Sequence, residues 1–224
     1  MGTLLNRRRY MGGGASSPYD EFGYIKSGKT FHLDGISIGN NTNAWTDLIG
    51  GIIFPVVSGV THDTNHFNFA STHGYMESNP RTTLDFPTTG TLEVVCVCGR
   101  DMGIIFTGKD NTMGCIFNAN VLTPKIWRGH YNNTYFMQSF IGQTIQMSYT
   151  IDELYVNGVQ QSAYGSNSMN TNASYCIVGN GNNGTNRPYV GDLYSIRYYN
   201  RVLTAEERAN NIAVDRLRFN LALS

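Results

Sequence analysis

The sequence predicts an all-β protein folded as a two-sheet antiparallel sandwich, and three observations carry that prediction. Short runs rich in β-branched and aromatic residues recur at roughly 8- to 14-residue intervals, too close together for strand–helix–strand units. Asn, Gly, Thr and Ser punctuate those runs, and these residues favour tight turns. The composition agrees: 25 Gly, 14 Tyr and 11 Phe stand among 224 residues, of which 41% are hydrophobic and only 14% charged. Tyr, Phe and Thr suit a pleated, half-buried surface. A chain of this length can fold as one large β domain with a sizeable core.

Residues 1–22 differ from the rest. Asn6-Arg7-Arg8-Arg9-Tyr10 is a basic patch, and Met11-Gly12-Gly13-Gly14-Ala15-Ser16-Ser17-Pro18 is a Gly/Ser-rich hinge. An arm of this composition has no core of its own and takes order from whatever it docks on. Residues 23–224 form the expected domain. Strands are expected at 30–33, 51–57, 66–70, 91–98, 102–106, 114–117, 125–127, 143–149, 153–156, 174–178 and 192–199. In the last, alternation sets Leu193, Ser195 and Arg197 against Tyr194, Ile196 and Tyr198. Asn157-Gly158 after Leu154-Tyr155-Val156 reads as a two-residue hairpin turn. Residues 180–186 read as an exposed Asn/Gly loop. One helix is expected, opened by the capping box Thr204-Ala205-Glu206-Glu207 and running to about Ala213, where it closes the sandwich.

A formal net charge of zero speaks against a nucleic-acid-coating protein. No apolar stretch approaches the ~18 residues of a membrane span, and Arg7 interrupts any secretory leader after Leu5. Asn6 stands where an N-myristoylation pattern needs Ser or Thr. Cys96 and Cys98 share one face of a strand and, with Cys115 and Cys176, read as reduced, buried small hydrophobes; a Cys-x-Cys without Cys-x-x-Cys or paired His is a weak zinc signal.

Several segments carry a family resemblance. Leu33-Asp34-Gly35-Ile36, Ala44-Trp45-Thr46-Asp47-Leu48-Ile49-Gly50-Gly51 and Thr91-Leu92-Glu93-Val94-Val95 appear in that order. Tyr155-Val156-Asn157-Gly158, Tyr189-Val190-Gly191-Asp192-Leu193-Tyr194-Ser195-Ile196-Arg197 and Tyr199-Asn200-Arg201-Val202-Leu203-Thr204-Ala205-Glu206-Glu207 follow. Together they resemble the laminin-G-like (concanavalin A-like) jelly-roll domain of the type encoded by crAss-like tailed phages and gut Bacteroidales, over roughly residues 24–220. The arm Arg7-Arg8-Arg9-Tyr10-Met11-Gly12-Gly13 resembles arms on phage proteins of this kind. The resemblance implies a jelly-roll sandwich and a fold shared by lectins, hydrolases and adhesion modules, so function must be argued from sites. Trp45 beside Leu48 and Ile49 reads as an apolar plug over one end of the sandwich.

No enzyme signature is visible. Glycosidases on similar folds carry an E-x-D-x-x-E strand motif, since hydrolysis needs two carboxylates at a set separation. That motif is missing here, and the neighbours Asp152 and Glu153 would face opposite ways. Neither a GxSxG elbow, an HExxH pair nor a P-loop occurs. His62 and His66, with Asp63, could hold a metal, but loop histidines in solvent are the expectation. Many laminin-G-like domains bind calcium, yet Asp34, Asp47, Asp63 and Asp192 are isolated from one another in sequence, so no cofactor is expected and the metal stays unassigned.

The expected ligand site is the stretch from Trp127 to Tyr135. Its Trp127, Tyr131 and Tyr135 offer rings that stack on sugar C–H faces, and Arg128, His130 and Asn132 offer hydrogen bonds to hydroxyls. The 180–186 loop with Arg187 and Tyr189 is a second candidate. The function expected is that of a phage virion accessory protein, a head fibre or capsid decoration assembled in the host cytoplasm. Residues 1–18 would dock on other virion proteins, Arg7, Arg8 and Arg9 pairing with acidic groups and Tyr10 burying its ring. The jelly roll would project, bind host-surface glycans and associate as a homo-oligomer such as a trimer, without contacting nucleic acid or membrane. The alternative is a carbohydrate-binding lectin module of a bacterial surface or tail-fibre protein, also without catalysis.

Overall fold

The computed structural model describes residues 17–38, 41–70, 73–79, 90–97, 103–108, 114–117, 125–127, 140, 142–150, 153–161, 176–180 and 188–223; of these, 103–108, 114–117, 125–127 and 176 are described as backbone. In chain order the strands are β1 (Lys29–Asp34), β2 (Ala44–Thr46), β3 (Ile53–Ser58), β4 (Val60–Asp63), β5 (His66–Phe69), β6 (Tyr75–Glu77), β7 (Thr91–Val97) and β8 (Gly103–Gly108). They continue with β9 (Gly114–Phe117), β10 (Lys125–Trp127), β11 (Thr144–Tyr149), β12 (Leu154–Val156), β13 (Val159–Gln161), β14 (Cys176–Val178) and β15 (Gly191–Tyr199), and the helix is α1 (Ala205–Phe219).

These strands form two antiparallel sheets, as the sequence predicted. One has eight strands, ordered β13-β12-β11-β7-β15-β5-β4, with β1 also pairing along β15. The other has seven, ordered β10-β9-β8-β14-β6-β3-β2. Strands β2, β4 and β6 were not anticipated: three or four residues each, with polar members, they fall below the length at which alternation is legible.

Between the sheets lies a core cluster in which Leu92, Val94 and Cys96 of β7 meet Ile145, Met147 and Tyr149 of β11, with Trp45, Phe54 and Met76 from the facing sheet. Fully burying each such large apolar side chain contributes about 1.5–3 kcal/mol. Trp45 therefore sits inside the core, 4.8 Å from the Phe67 ring, on a strand of its own. Cys96 is buried and forms no disulfide.

The outer face of the eight-stranded sheet is also covered, by α1. This explains why β7 is buried along nearly its whole length. A bulge on β15 adjusts the two faces. Leu193 pairs with Cys96 and Ser195 with Val95, so Tyr194 is the extra residue and the alternation changes phase there. Leu193 consequently joins Ile196 and Tyr198 in the inter-sheet core, whereas Tyr194 packs on Phe219 beneath the helix. The strict alternation expected for this strand is corrected at those two positions.

Helix α1 begins as predicted. Thr204 accepts from the Glu207 amide, and the Glu207 carboxylate accepts from the Thr204 amide at 2.9 Å, closing the capping box. Its last residue is Phe219, six past the expected Ala213, and Asn220 caps it in the left-handed conformation. The extra turns are held because Asp215 and Phe219 face inward with Arg208, Asn211 and Ile212.

The Asn157-Gly158 turn forms as expected, with φ of 51° and 86° joining β12 to β13. The Asn157 side chain also accepts from the Gln146 amide at 2.8 Å, fixing the hairpin to β11. At the other end of the chain, residues 18–26 lie against the sheet and helix: Lys26 donates to the Pro18 carbonyl, and Asp20 pairs with Lys29. The segment that closes the predicted arm is thus part of the folded body.

Candidate functional site

Two features built from named side chains bear on function: a sealed polar network under α1, and an open cleft beside it. The network centres on Arg197 of β15. Its guanidinium donates to both oxygens of Asp215 (2.7 and 2.6 Å) and, through Nε, to Glu93 Oε2 at 3.1 Å. Glu93 also accepts from Gln146 (3.2 Å) and Asn211 (2.9 Å), and Tyr24 donates to Asp215 at 2.8 Å. The Tyr24 ring lies under the guanidinium, 4.1 Å from centroid to Cζ.

All these groups are buried, and the charges respond accordingly. Desolvation pushes the Glu93 and Asp215 carboxyls up, against the pull of Arg197. Burial opposes the Arg197 charge, but Asp215, Tyr24 and Glu93 outweigh it and hold the guanidinium well above its usual range. Two carboxylates near one arginine resemble catalytic equipment in composition. Here both are at 0% exposure, so no substrate reaches them.

The cleft, of about 270 Å³, opens between α1 and the β12–β13 hairpin. Ala205, Arg208, Ala209, Ile212 and Arg216 come from one face of the helix, at the three- and four-residue spacing that stacks side chains along it. The hairpin supplies Tyr155, Asn157, Gly158 and Val159. The Arg208 guanidinium carbon lies over the Tyr155 ring, 3.8 Å from its centroid, and Nη1 donates to the Leu203 carbonyl at 2.6 Å. Tyr155 in turn donates to Glu153 at 3.1 Å. Sequence reasoning missed this cleft because its walls lie some fifty positions apart in the chain. The periodic Ala205, Ala209 and Ile212 were its one available signal.

The predicted ligand stretch begins at Trp127, the last residue of β10, which is an edge strand of the seven-stranded sheet. Arg128, His130, Tyr131, Asn132 and Tyr135 lie outside the described residues, as do Arg7, Arg8, Arg9 and Tyr10 of the arm. Of the second candidate loop, residues 181–187 are likewise outside. Tyr189 is corrected: it is fully buried, with its hydroxyl 2.8 Å from the Val97 carbonyl and 2.9 Å from that of Asp192, and it offers no face to a ligand.

The histidines and acids considered for metals have other partners. His62 and His66 stand on the paired strands β4 and β5, not in a loop. His62 Nε2 is 2.7 Å from the Gly35 carbonyl, and its ring packs on Phe67. Asp34 accepts two bonds from Arg218 (2.6 and 2.9 Å). Asp47 accepts from the His32, Ile49 and Gly50 amides (2.7, 3.2 and 2.7 Å), tying the 47–51 turn to β1. Asp192 accepts from Asn68 at 2.6 Å, and Asp63 from the Thr64 amide. Among the described residues, no group of three or more His, Cys, Asp or Glu is placed to hold a metal ion.

Comparison with known proteins places the fold. No protein-family model and no curated protein sequence matches the chain. Solved structures do. Domain 4 of AbnA, a GH43 extracellular arabinanase from Geobacillus stearothermophilus, in complex with arabinotriose, is 15% identical with a TM-score of 0.61, covering 84% of this chain and 99% of that one. Trypanosoma rangeli sialidase is 13% identical with a TM-score of 0.56, covering 85% of this chain but 33% of the sialidase. The chain therefore spans about a third of the sialidase's length. The fold is the β-sandwich these proteins share.

Proposed function

We propose that this protein is a non-catalytic, glycan-binding β-sandwich module, displayed on a phage particle as a head fibre or capsid decoration. The observation that carries the glycan reading is the end-to-end match with an arabinanase domain described in complex with arabinotriose, 99% of which is covered. The absence of catalysis is supported by the burial of Glu93 and Asp215, the two carboxylates drawn to Arg197. The site that best suits a neutral sugar starts at Trp127 on edge strand β10, where aromatic and hydrogen-bonding groups follow one another in sequence.

Full-length protein should bind a subset of capsule or mucin glycans on an array, and Trp127→Ala should abolish that binding. Silence across both glycan classes would remove the lectin reading. The virion part rests on the basic, Gly-rich arm, in which Arg7, Arg8 and Arg9 can hold carboxylates bidentately on a neighbouring virion protein. Deleting residues 1–16, which leaves the Pro18–Lys26 contact intact, should end co-sedimentation with tailed-phage particles from a Bacteroidales host while the melting temperature stays unchanged. Attachment by the truncated chain would rule the arm out as the anchor.

A further inference from the structure

We propose that the cleft between α1 and the β12–β13 hairpin is a second ligand site, in which Arg208 receives the carboxylate of an acidic sugar unit and Arg216 adds positive charge at the far end. Charge is the first observation. Within residues 188–223, Arg197, Arg201 and Arg218 each hold a carboxylate. Arg208 and Arg216 form no salt bridge among the described residues, and both line this one cleft. Glu153 is the nearby acid of the hairpin, and its two oxygens accept from Tyr155 and Gln160 (3.1 and 3.2 Å).

Preorganisation is the second. Arg208 is only 8% exposed. Its guanidinium is held by the Tyr155 ring and by the Leu203 carbonyl, which occupies Nη1. The fork retains Nε and Nη2 as donors in a position set before any ligand arrives, and a fixed fork loses little entropy on binding. Arg216 bonds the Leu223 carbonyl through Nη2. It sits eight residues further on, about 12 Å along the helix axis at 1.5 Å per residue, and so marks the far end of the cleft, where its charge favours an anion that Arg208 contacts directly.

Size and lining are the third. At about 270 Å³ the cleft holds a single ring more readily than a length of peptide. Ala209, Ile212 and Val159 give it apolar walls that suit the C–H face of a pyranose. A planar carboxylate matches a guanidinium in two parallel hydrogen bonds. That the anion is carried by a sugar rests on the glycan-binding reading above; that the cleft takes an anion does not.

The test is a titration of full-length ¹⁵N-labelled protein with trigalacturonate, the neutral galactose trimer, a sulfated galactose trimer and a glutamate-rich peptide. Trigalacturonate should move the amides of Ala205, Ala209 and Gly158, and should bind about tenfold or more tighter than the neutral trimer, as charge-assisted hydrogen bonds require. Ala209→Glu, at an exposed helix position, should bring that affinity down to the neutral level with an unchanged melting temperature, and Arg216→Gln should lower it by a smaller factor. Trp127→Ala should leave it intact. Equal affinity for charged and neutral trimers, persistence in Ala209→Glu, or tighter binding of the sulfated trimer or peptide would overturn the assignment. Neutral glycan binding that is lost in Trp127→Ala, without any preference for the uronate, would sink this cleft and leave the glycan reading standing. A uronate preference without neutral binding would support the cleft and sink the Trp127 site.

Discussion

Arg197 and Asp215 meet fork to fork beneath α1, with Nη1–Oδ1 at 2.7 Å and Nη2–Oδ2 at 2.6 Å and both side chains at 0% exposure. The pair joins the strand at the centre of the eight-stranded sheet to the helix that covers it. Because only Ile212 and Phe219 among the buried residues of α1 are apolar, its position is set by this polar lock, by Asn211 on Glu93 and by Arg218 on Asp34, more than by a greasy stripe. A buried ion pair contributes little net stability relative to a well-packed apolar substitute, but breaking one half strands the other charge in a dry layer.

Asp215→Asn should therefore destabilise the protein by about 3–5 kcal/mol in urea denaturation. The amide would turn a donor toward the guanidinium and leave Glu93 as its sole carboxylate. The triple change Arg197→Met with Asp215→Leu and Glu93→Gln should recover much of the loss by removing all three buried charges together. A loss under about 1 kcal/mol for the single change would show that the pair is solvated or replaceable.

The helix start invites a smaller test. Thr204→Ala removes the acceptor for the Glu207 amide and should cost about 1 kcal/mol. Glu207 is also held by Arg201 through two bonds, 2.8 and 2.7 Å, and that contact chiefly lowers its carboxyl from 4.5 to about 2. A depressed carboxyl stabilises the fold above pH 4.5 and loses that contribution as pH falls toward 2. Stability curves of wild type and Glu207→Gln should thus be separated at pH 7 and converge in acid. Parallel curves down to pH 2 would mean that Arg201 does not hold the Glu207 charge.

What the sequence displayed and what it hid follow from the range of each interaction. The Asn157-Gly158 turn and the Thr204–Glu207 box are local devices, written within four residues, and both formed as read. The long strands β7, β11 and β15 announced themselves by β-branched and aromatic runs. The far half of α1 stayed hidden because its inward residues, Asn211 and Asp215, look like a solvated face until Glu93 and Arg197 are brought opposite. The β15 bulge was invisible for a similar reason: an extra residue at Tyr194 leaves no mark in composition. Asp34 and Asp47 looked idle as isolated acids, yet one holds Arg218 and the other a set of backbone amides. The cleft at Arg208 needed Tyr155, 53 positions earlier, to exist at all.

His32 supplies a pH test of the same buried layer. It stands on β1 at 0% exposure, edge-on to the rings of Phe22 and Tyr24, with centroids 6.1 and 5.2 Å away. Its Nδ1 lies 3.3 Å from Lys29 Nζ, which fixes that nitrogen as an acceptor and places the ring proton on Nε2. Nε2 is 3.7 Å from Asp34, too far for a hydrogen bond. Burial first, then the positive charges of Lys29, Arg197 and Arg218, push the imidazole well below its ordinary 6.5. The folded protein therefore keeps His32 neutral while the unfolded chain takes up a proton, so stability is full above pH 6.5 and declines as pH falls below it. Raised Glu93 and Asp215 act in the opposite sense, and a comparison with His32→Gln, which keeps an acceptor for Lys29, cancels them. Relative to that variant, wild type should lose up to about 1.4 kcal/mol per pH unit below 6.5 in urea denaturation. If the two proteins keep a constant difference from pH 7.5 to 5, His32 takes up its proton in the folded protein as readily as in the unfolded chain, and burial beside Lys29 does not hold it neutral.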